Sequence, residues 1–211
     1  MTMKNANFGF EPSVMDGSEW IFGAPTTKLD LPTDYSYRKY LPAVINQGEL
    51  SICVPCSVSA YLNWKKNLEN GERRDNKVAM MDIYGCKTND TDGMTFKEAF
   101  HFLRHEGVRS NAGLLKINSY ARIMNPLSLR YAIVMNGPCF AALPVYSDDC
   151  DFWVKKPGQT LLGYHAICIV GYNEKSFIIR NSWGTSFCDD GYTEIPIEDI
   201  SKMIEAWTII D

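Results

Sequence analysis

The first half of the chain carries apolar residues at helical spacing. Residues 54–68 predict a helix, with Pro55 tolerated in the first turn and Gly71 placed just beyond the end. A second helix is predicted at residues 95–105, where apolar positions recur every three or four residues. Cys53 therefore precedes the first residue of a predicted helix.

The second half has the pattern of a sheet. Runs rich in Ile, Val, Phe and Trp predict strands at residues 139–145, 165–170, 176–180 and 207–210, with a helix at 127–135 before them. Residues 1–30 show no clear periodicity, and residues 31–41 have the Pro-rich composition of an extended strap. Helices first and strands later indicate an α+β chain with two packed halves.

Composition narrows the class of protein. The chain has 211 residues, is 45% hydrophobic and carries a net charge of −4. This length fits one globular domain with a real core. The acidic balance and the absence of a dense basic run argue against a nucleic-acid partner. No segment has the roughly 18 apolar residues of a membrane span, and the first ten residues do not read as a signal peptide, so we expect no membrane partner.

Cysteine usage bears on the compartment. The seven cysteines are an odd number in a chain too long to need disulfide staples. Cys139 and Cys168 lie inside apolar runs, as small core residues do. We therefore expect a reducing, cytoplasmic location without disulfides.

Four residues form a candidate catalytic set: Gln47, Cys53, His165 and Asn181. They suit the roles of oxyanion donor, nucleophile, base and orienter, and a catalytic Cys needs only spatial proximity to its His. If the strands that follow His165 and precede Asn181 pair through a turn centred on Asn173, those two residues lie directly opposite each other. A one-residue slip would break this register.

The chemistry of this set depends on the thiolate. A helix N-terminus and a nearby imidazolium both lower a Cys pKa, so we expect a lowered pKa for Cys53. Attack on an acyl carbonyl creates an oxyanion that the Gln47 amide and the Cys53 backbone N–H can stabilise. His165 then protonates the leaving amine.

The chain resembles the papain family of cysteine peptidases. The matching pieces recur in family order over nearly the whole chain: Leu31-Pro32, Arg38, Asn46-Gln47-Gly48 through Cys53, Gly93, Asn136-Gly137-Pro138, His165-Ala166, Gly171-Tyr172 and Asn181-Ser182-Trp183-Gly184. The resemblance implies a helical lobe packed against an antiparallel β-barrel lobe, with the site in the cleft. It implies that Trp183 shields the hydrogen bond between Asn181 and His165.

The same resemblance suggests boundaries and subsites. We expect a single peptidase domain over residues 1–211, with an N-terminal strap at 1–47, a helical lobe at 48–115 and a β-barrel lobe at 116–211. Its substrate-binding walls would include Asp92, Gly93, Thr95, Ala142, Gly163 and Tyr164, whose small members imply room for a bulky apolar side chain.

Two departures from the family pattern matter. Leu50 stands where secreted members carry one half of a disulfide, which favours a reducing location. No inhibitory prosegment of the usual length precedes Leu31, as in some bacterial and viral relatives, so we expect no latency from a cleavable pro-domain and leave a virion-associated role open.

The predicted function is a cysteine endopeptidase that hydrolyses peptide bonds of a peptide or protein substrate through a Cys53 acyl-enzyme. One alternative is a catalytically silent structural or interaction subunit, because Ile52 and Val54 flank the nucleophile and narrow the cleft. Another is different thiol acyl chemistry, such as deamidation or acyl transfer, on the same residues.

Three further motifs are weaker. Cys53-Val54-Pro55-Cys56 matches a redox Cys-x-x-Cys, but Gln47-Gly48-Glu49 replaces the strand that such a motif needs before it. His101 and His105 have zinc spacing but lack the Glu of a zinc-protease helix. Residues 88–93 imitate a calcium loop without its acidic first and twelfth ligands. We therefore predict neither a metal nor a cofactor.

Overall fold

A computed structural model describes residues 8–25 and 30–211. The predicted strap at 1–47 thus lies partly outside the described residues. The helices are α1 (Cys53–Asn70), α2 (Met80–Tyr84), α3 (Phe96–His105) and α4 (Pro126–Asn136), with short 3₁₀ helices at Arg38–Tyr40 and Ile197–Lys202. The predicted helices at 54–68, 95–105 and 127–135 are confirmed to within two residues at each end.

Local signals explain where these helices begin and end. Thr95 and Glu98 form a capping box at the start of α3, each side chain bonding the backbone N–H of the other. Asn125 caps α4 ahead of Pro126. Gly71 ends α1 in the left-handed conformation, at φ 67°, which costs a glycine little.

The described part of the chain contains ten strands: β1 (Ile21–Phe22), β2 (Tyr35–Ser36), β3 (Val108–Ser110), β4 (Gly113–Leu115), β5 (Ser119–Ile123), β6 (Cys139–Val145), β7 (Gly163–Tyr172), β8 (Ser176–Arg180), β9 (Tyr192–Pro196) and β10 (Glu205–Ile210). Eight of them form one sheet in the order β1-β5-β10-β6-β7-β8-β9, with β2 paired to β7. The sheet is antiparallel except where β1 joins β5.

The fold class is confirmed as α+β with two lobes. The β lobe is an open sheet, since the pairings of the described residues run from β1 to β9 without joining those two strands. α1 packs across β7 and thereby connects the helices to the sheet. The contact between them places Cys53, at the start of α1, beside the N-terminal half of β7.

Aromatic side chains form the centre of the core. Phe100 of α3 lies with its ring centroid 5.2 Å from that of Phe140 on β6 and 6.1 Å from that of Trp207 on β10. All three are fully buried. Helices and sheet are thus held as one body by apolar burial.

The structure contains one disulfide among its described residues, between Cys150 and Cys188. The expectation of a chain without disulfides is therefore wrong. Cys150 lies in the loop between β6 and β7, and Cys188 in the loop between β8 and β9, so the bond joins two loops at one end of the sheet. No helix in the described ranges has the length and apolar character needed to cross a membrane.

Candidate active site

Cys53 is the first residue of α1 and has no exposed surface. Backbone N–H groups surround its thiol: its own, that of Val54 and that of Ala166 on β7. The contact from Ala166 is informative, because Ala166 directly follows His165. The helix N-terminus and β7 therefore bring the predicted nucleophile and the predicted base onto adjoining stretches of backbone.

His165 Nε2 lies 2.7 Å from Asn181 Oδ1. The backbone N–H of Ser182 donates to the same Asn181 oxygen at 2.7 Å, which fixes this atom as an acceptor. Since an amide oxygen cannot donate, Nε2 carries the proton and Nδ1 keeps a free lone pair. Nδ1 has no hydrogen-bond partner among the described residues. The arrangement thus leaves one basic ring nitrogen available.

The hairpin that carries this pair has a different register from the predicted one. Cys168 lies opposite Arg180, two residues away from the predicted pairing, and the register shifts again between Ile169 and Gly171. His165 and Asn181 are diagonal neighbours and not opposite residues. A shift of two residues keeps both side chains on one face, whereas a shift of one would have separated them.

Gln47 is tied to the residue that follows Asn181. Its side-chain oxygen accepts from the Ser182 hydroxyl at 2.5 Å, and its backbone N–H donates to the Ser182 carbonyl at 2.8 Å. Its amide nitrogen donates one hydrogen to the Leu50 carbonyl at 2.9 Å, which leaves the second for another acceptor. The structure therefore joins Gln47 to Ser182, next to Asn181, and joins Asn181 to His165, while the Cys53 thiol contacts the backbone of Ala166, next to His165.

Aromatic rings enclose the imidazole. Trp183 stacks on His165 at 4.7 Å between ring centroids. Phe152 and Phe8 meet the same imidazole edge-on at 5.9 and 6.5 Å. Sequence reasoning missed both phenylalanines. The pair Phe152-Trp153, apolar inside a charged loop, was a usable signal.

The N-terminal segment lies directly over this site. Phe10 pairs with Met94 as a parallel bridge, in which Met94 N–H donates to the Gly9 carbonyl at 2.9 Å and Glu11 N–H donates to the Met94 carbonyl at 3.1 Å. A Cβ on Gly9 would lie 2.2 Å from the Ser51 carbonyl oxygen, two residues before Cys53. Residues 8–11 therefore cover the nucleophile and the base, and both have 0% exposure.

This cover reverses the expected electrostatics. Burial raises the pKa of the Cys53 thiol to about 12, and the surrounding backbone N–H groups offset only part of that effect. Burial lowers the pKa of His165 to about 4, against the opposing effect of its bond to Asn181. The expectation of a lowered Cys53 pKa is wrong for this closed state, because desolvation outweighs the helix N-terminus.

The predicted substrate walls fall into two groups. Gly93 and Gly163 touch the covering residues, since a Cβ on either would lie 2.6 Å from Glu11 and 3.2 Å from Phe8 respectively. The others have different surroundings: Thr95 caps α3, Ala142 is fully buried in β6, Tyr164 pairs with Pro144 on the neighbouring strand, and the Asp92 carbonyl accepts from Tyr84.

The weaker motifs have structural surroundings. Glu98 accepts from the backbone and hydroxyl of Thr88, so the calcium-like loop folds onto α3. The rings of His101 and His105 lie tilted against each other, with centroids 4.3 Å apart. Within the described ranges, no three His, Cys, Asp or Glu side chains are grouped as metal ligands.

Comparisons with known proteins agree on one family. The sequence model described as papain family cysteine protease matches residues 109–206, a range that contains His165 and Asn181. Fruit bromelain from Ananas comosus is 31% identical over 53% of this chain and 38% of its own length. Peptidase 1 from Dermatophagoides pteronyssinus is 26% identical over 74% of this chain and 56% of its own length. The chain thus spans well under two thirds of either relative.

Solved structures agree on the fold. Xylellain, a cysteine protease from Xylella fastidiosa, superposes with a TM-score of 0.80 over 98% of this chain and 96% of its own, at 19% identity. A Carica candamarcensis cysteine protease in complex with E-64 superposes with a TM-score of 0.68 over 86% of this chain and 99% of its own, at 18% identity. The fold is that of papain-like proteins. Together with the sequence matches, these comparisons confirm the resemblance to the papain family of cysteine proteases.

Proposed function

We propose that this chain is a cysteine endopeptidase that hydrolyses peptide bonds through a Cys53 acyl-enzyme. The observation that carries the proposal is the bond between His165 Nε2 and Asn181 Oδ1, which leaves Nδ1 as a free base beside the backbone that contacts the Cys53 thiol. A peptide or protein is the substrate. We also propose that residues 1–211 act as one domain, divided into the strap, helical and β lobes predicted above.

The mechanism follows from these positions. His165 Nδ1 takes the proton of the Cys53 thiol, and the thiolate attacks the scissile carbonyl carbon. The Cys53 backbone N–H and the second Gln47 amide hydrogen stabilise the resulting oxyanion, and loss of one such donor costs about a hundredfold or more in rate. His165 returns its proton to the leaving amine, and water then releases the acyl group by the reverse sequence.

Burial of Cys53 and His165 supports a second candidate function, that of a silent binding or structural subunit. A fully buried thiol with a raised pKa and a neutral imidazole form no ion pair in the closed state. Catalysis therefore requires that the covering residues leave the site, whereas a structural role does not.

The disulfide bears on the compartment. A bond such as Cys150–Cys188 persists in oxidising surroundings and is rare in the cytosol. The disulfide therefore favours an oxidising compartment over the expected reducing, cytoplasmic location.

Covalent labelling tests the function. We expect an epoxysuccinyl peptide inhibitor of the E-64 type to add once to the reduced chain and once to the matched Cys56→Ala variant, but not to Cys53→Ala. Labelling of His165→Ala should be slower by orders of magnitude. Product analysis on a peptide substrate then distinguishes hydrolysis from other thiol acyl chemistry, because only hydrolysis creates new termini. If folded protein forms no adduct even when the covering residues are displaced, that result would support the silent subunit.

A further inference from the structure

The Cys150–Cys188 disulfide joins the two loops that supply phenylalanines to the surroundings of the catalytic imidazole. Cys150 is two residues before Phe152, and Cys188 directly follows Phe187. Both phenylalanines are buried, whereas both cysteines are exposed. The disulfide thus connects two surface positions whose near neighbours in sequence are core side chains.

Those phenylalanines hold a tryptophan between them. The aromatic clamp, defined here as Phe152, Trp183 and Phe187, has its Trp183 centroid 5.0 Å from each phenylalanine centroid. Trp183 stacks on His165, and Phe152 meets the same imidazole edge-on. Aromatic pairs at such spacings attract one another beyond the effect of buried area alone. The clamp therefore links the two disulfide-bonded loops to the His165 ring.

A backbone contact runs from the Cys188 loop to the partner of the imidazole. The Gly191 N–H donates to the Phe187 carbonyl at 2.7 Å, and the Gly191 carbonyl accepts from the Asn181 N–H at 3.0 Å. Asn181 is the residue whose Oδ1 accepts from His165 Nε2. The Cys188 loop thus contacts the catalytic amide through its backbone and reaches the imidazole through the clamp.

The Cys188 loop has an uncommon backbone conformation. Cys188 and Asp190 both lie in the left-handed region, at φ 44° and 52°. Residues other than glycine adopt this region at a cost, and they keep it where surrounding contacts fix the loop. Arg38 pairs with Asp189 between them, and the disulfide adds a covalent contact. Loss of the disulfide therefore frees a loop whose own backbone preferences oppose the folded conformation.

Noncovalent contacts hold the other loop to the sheet. The Cys150 carbonyl accepts from the Thr193 hydroxyl on β9 at 2.9 Å. Trp153 Nε1 donates to Asp199, in the 3₁₀ helix after β9, at 3.0 Å. The Cys150 loop is thus a fixed base, and the disulfide attaches the Cys188 loop to it.

We propose that the Cys150–Cys188 disulfide is a redox-controlled positioning element, which when oxidised holds the aromatic clamp on His165 and keeps the imidazole bonded to Asn181. The inference rests on the proposed function, in which His165 is the base. The exposed positions of both cysteines leave the bond open to a reductant.

The reductant is a dithiol. One of its thiolates attacks a sulfur of the bond and displaces the other sulfur as a thiolate, and its second thiol then releases the first. Two electrons and two protons pass to Cys150 and Cys188, and the dithiol becomes a disulfide. The clamp is released without any change at Cys53.

Release of the clamp acts on turnover more than on substrate binding. A His165 ring that is no longer held spends less time with Nδ1 directed at the nucleophile, and small displacements of a catalytic group cost large factors in rate. Water also gains access to the Nε2 proton, which is buried in the closed structure. The expected signature is a lower kcat with an unchanged KM and faster exchange of that proton.

Four full-length proteins test the inference. They are the unmodified chain, Cys150→Ser/Cys188→Ser, Phe187→Ala and Leu103→Ala. Phe187→Ala keeps the disulfide and removes one ring of the clamp. Leu103→Ala is the control for stability, since it deletes a fully buried side chain of α3 without touching the clamp.

Two readouts are measured in buffer without reductant. NMR gives the rate at which the His165 Nε2 proton exchanges with solvent. A fluorogenic peptide gives kcat and KM, with the concentration of reactive Cys53 set by titration with an E-64-type inhibitor. If the double variant does not fold, the unmodified chain before and after treatment with a dithiol supplies the same comparison.

The double variant and Phe187→Ala should exchange the Nε2 proton at least about tenfold faster and have a kcat about tenfold lower, with KM within about twofold. Leu103→Ala should match the unmodified chain within about twofold in both readouts, although its Tm falls. A double variant that loses Tm but keeps the exchange rate and kcat would overturn the inference, because the bond would then act on overall stability alone. A change confined to KM would overturn it as well.

Proton exchange does not depend on peptidase activity, so the two proposals can fail separately. Faster exchange in the double variant, without peptide hydrolysis by any of the four proteins, supports the positioning element and contradicts the peptidase. Hydrolysis by the unmodified chain, with the same kcat in the double variant, supports the peptidase and contradicts the positioning element.

Discussion

Gly9 passes so close to Ser51 that any side chain at position 9 would strike the backbone before Cys53, with a Cβ 2.2 Å from the Ser51 carbonyl oxygen. Real Cβ atoms do not approach a carbonyl oxygen to that distance, and the obstacle is backbone on a helix N-terminus, which cannot rotate away. The glycine is thus a requirement of the closed state.

We expect Gly9→Ala to displace the N-terminal segment and to speed alkylation of Cys53 at least about tenfold, because overpacking of this kind costs about 1–3 kcal/mol. Gly23→Ala is the matched control, since a Cβ there meets no atom within 4 Å. An unchanged rate in Gly9→Ala would show that the segment does not limit access.

Asn181→Asp should raise the pKa of His165, since a carboxylate in place of the amide favours the imidazolium. Titration of the His165 ring by NMR measures the change. Asn173→Asp places the same charge at the turn of the same hairpin, where the side-chain oxygen accepts from Lys175 and Ser176. A rise in both variants would mean that general charge, and not the contact with Nε2, sets the pKa.

Protonation of the buried His165 should lower the free energy of unfolding as the pH falls. Its pKa is lowered from 6.5 to about 4 in the folded chain, so the unfolded chain binds the extra proton between those values. The stabilisation by the neutral imidazole is therefore fully present above about pH 6.5. It is lost as the pH falls from there through about 4, and the total loss in the free energy of unfolding is about 3 kcal/mol. Urea denaturation at several pH values measures the slope.

The matched variant is His165→Gln, which should lack that slope. Glu205, whose pKa burial raises, contributes with the opposite sign in both proteins and cancels in the comparison. Identical pH slopes in the two proteins would contradict a buried neutral imidazole.

Reduction of Cys150–Cys188 should destabilise the chain by about 4 kcal/mol, because the bond closes a long loop, with 38 residues of sequence separation. We expect a reductant to lower the Tm of the unmodified chain. The Cys150→Ser/Cys188→Ser double variant should start lower and not respond. Cys86→Ser, which removes a free thiol, should behave as the unmodified chain does.

Local pattern was enough to predict four strands of the sheet, β6, β7, β8 and β10, and the helices α1, α3 and α4. The strands Cys139–Val145 and Ser176–Arg180 have the predicted bounds, since continuous apolar runs between turn residues leave few alternatives. The placement of Cys53 at a helix start also followed from Pro55 and Gly71. These features depend on neighbours in sequence.

What sequence did not predict depends on distant contacts. The N-terminal segment lacks periodicity because it is held by single residues such as Phe10 and Ser13, whose partners lie on α3 and β10. The expected lowering of the Cys53 pKa was wrong for the same reason, because that pKa depends on which residues cover Cys53. The hairpin register was wrong because the turn, closed by the Asn173 N–H bond to the Ser176 carbonyl, is centred between Glu174 and Lys175 and not on Asn173.

The bridge between Phe10 and Met94 has a practical consequence. The chain already contains a short peptide, Phe8-Gly9-Phe10-Glu11, whose backbone and side chains fit its own cleft. A synthetic copy, stiffened by cyclisation to lower the entropy lost on binding, is therefore a rational lead for an inhibitor. Its selectivity would come from the target's own sequence.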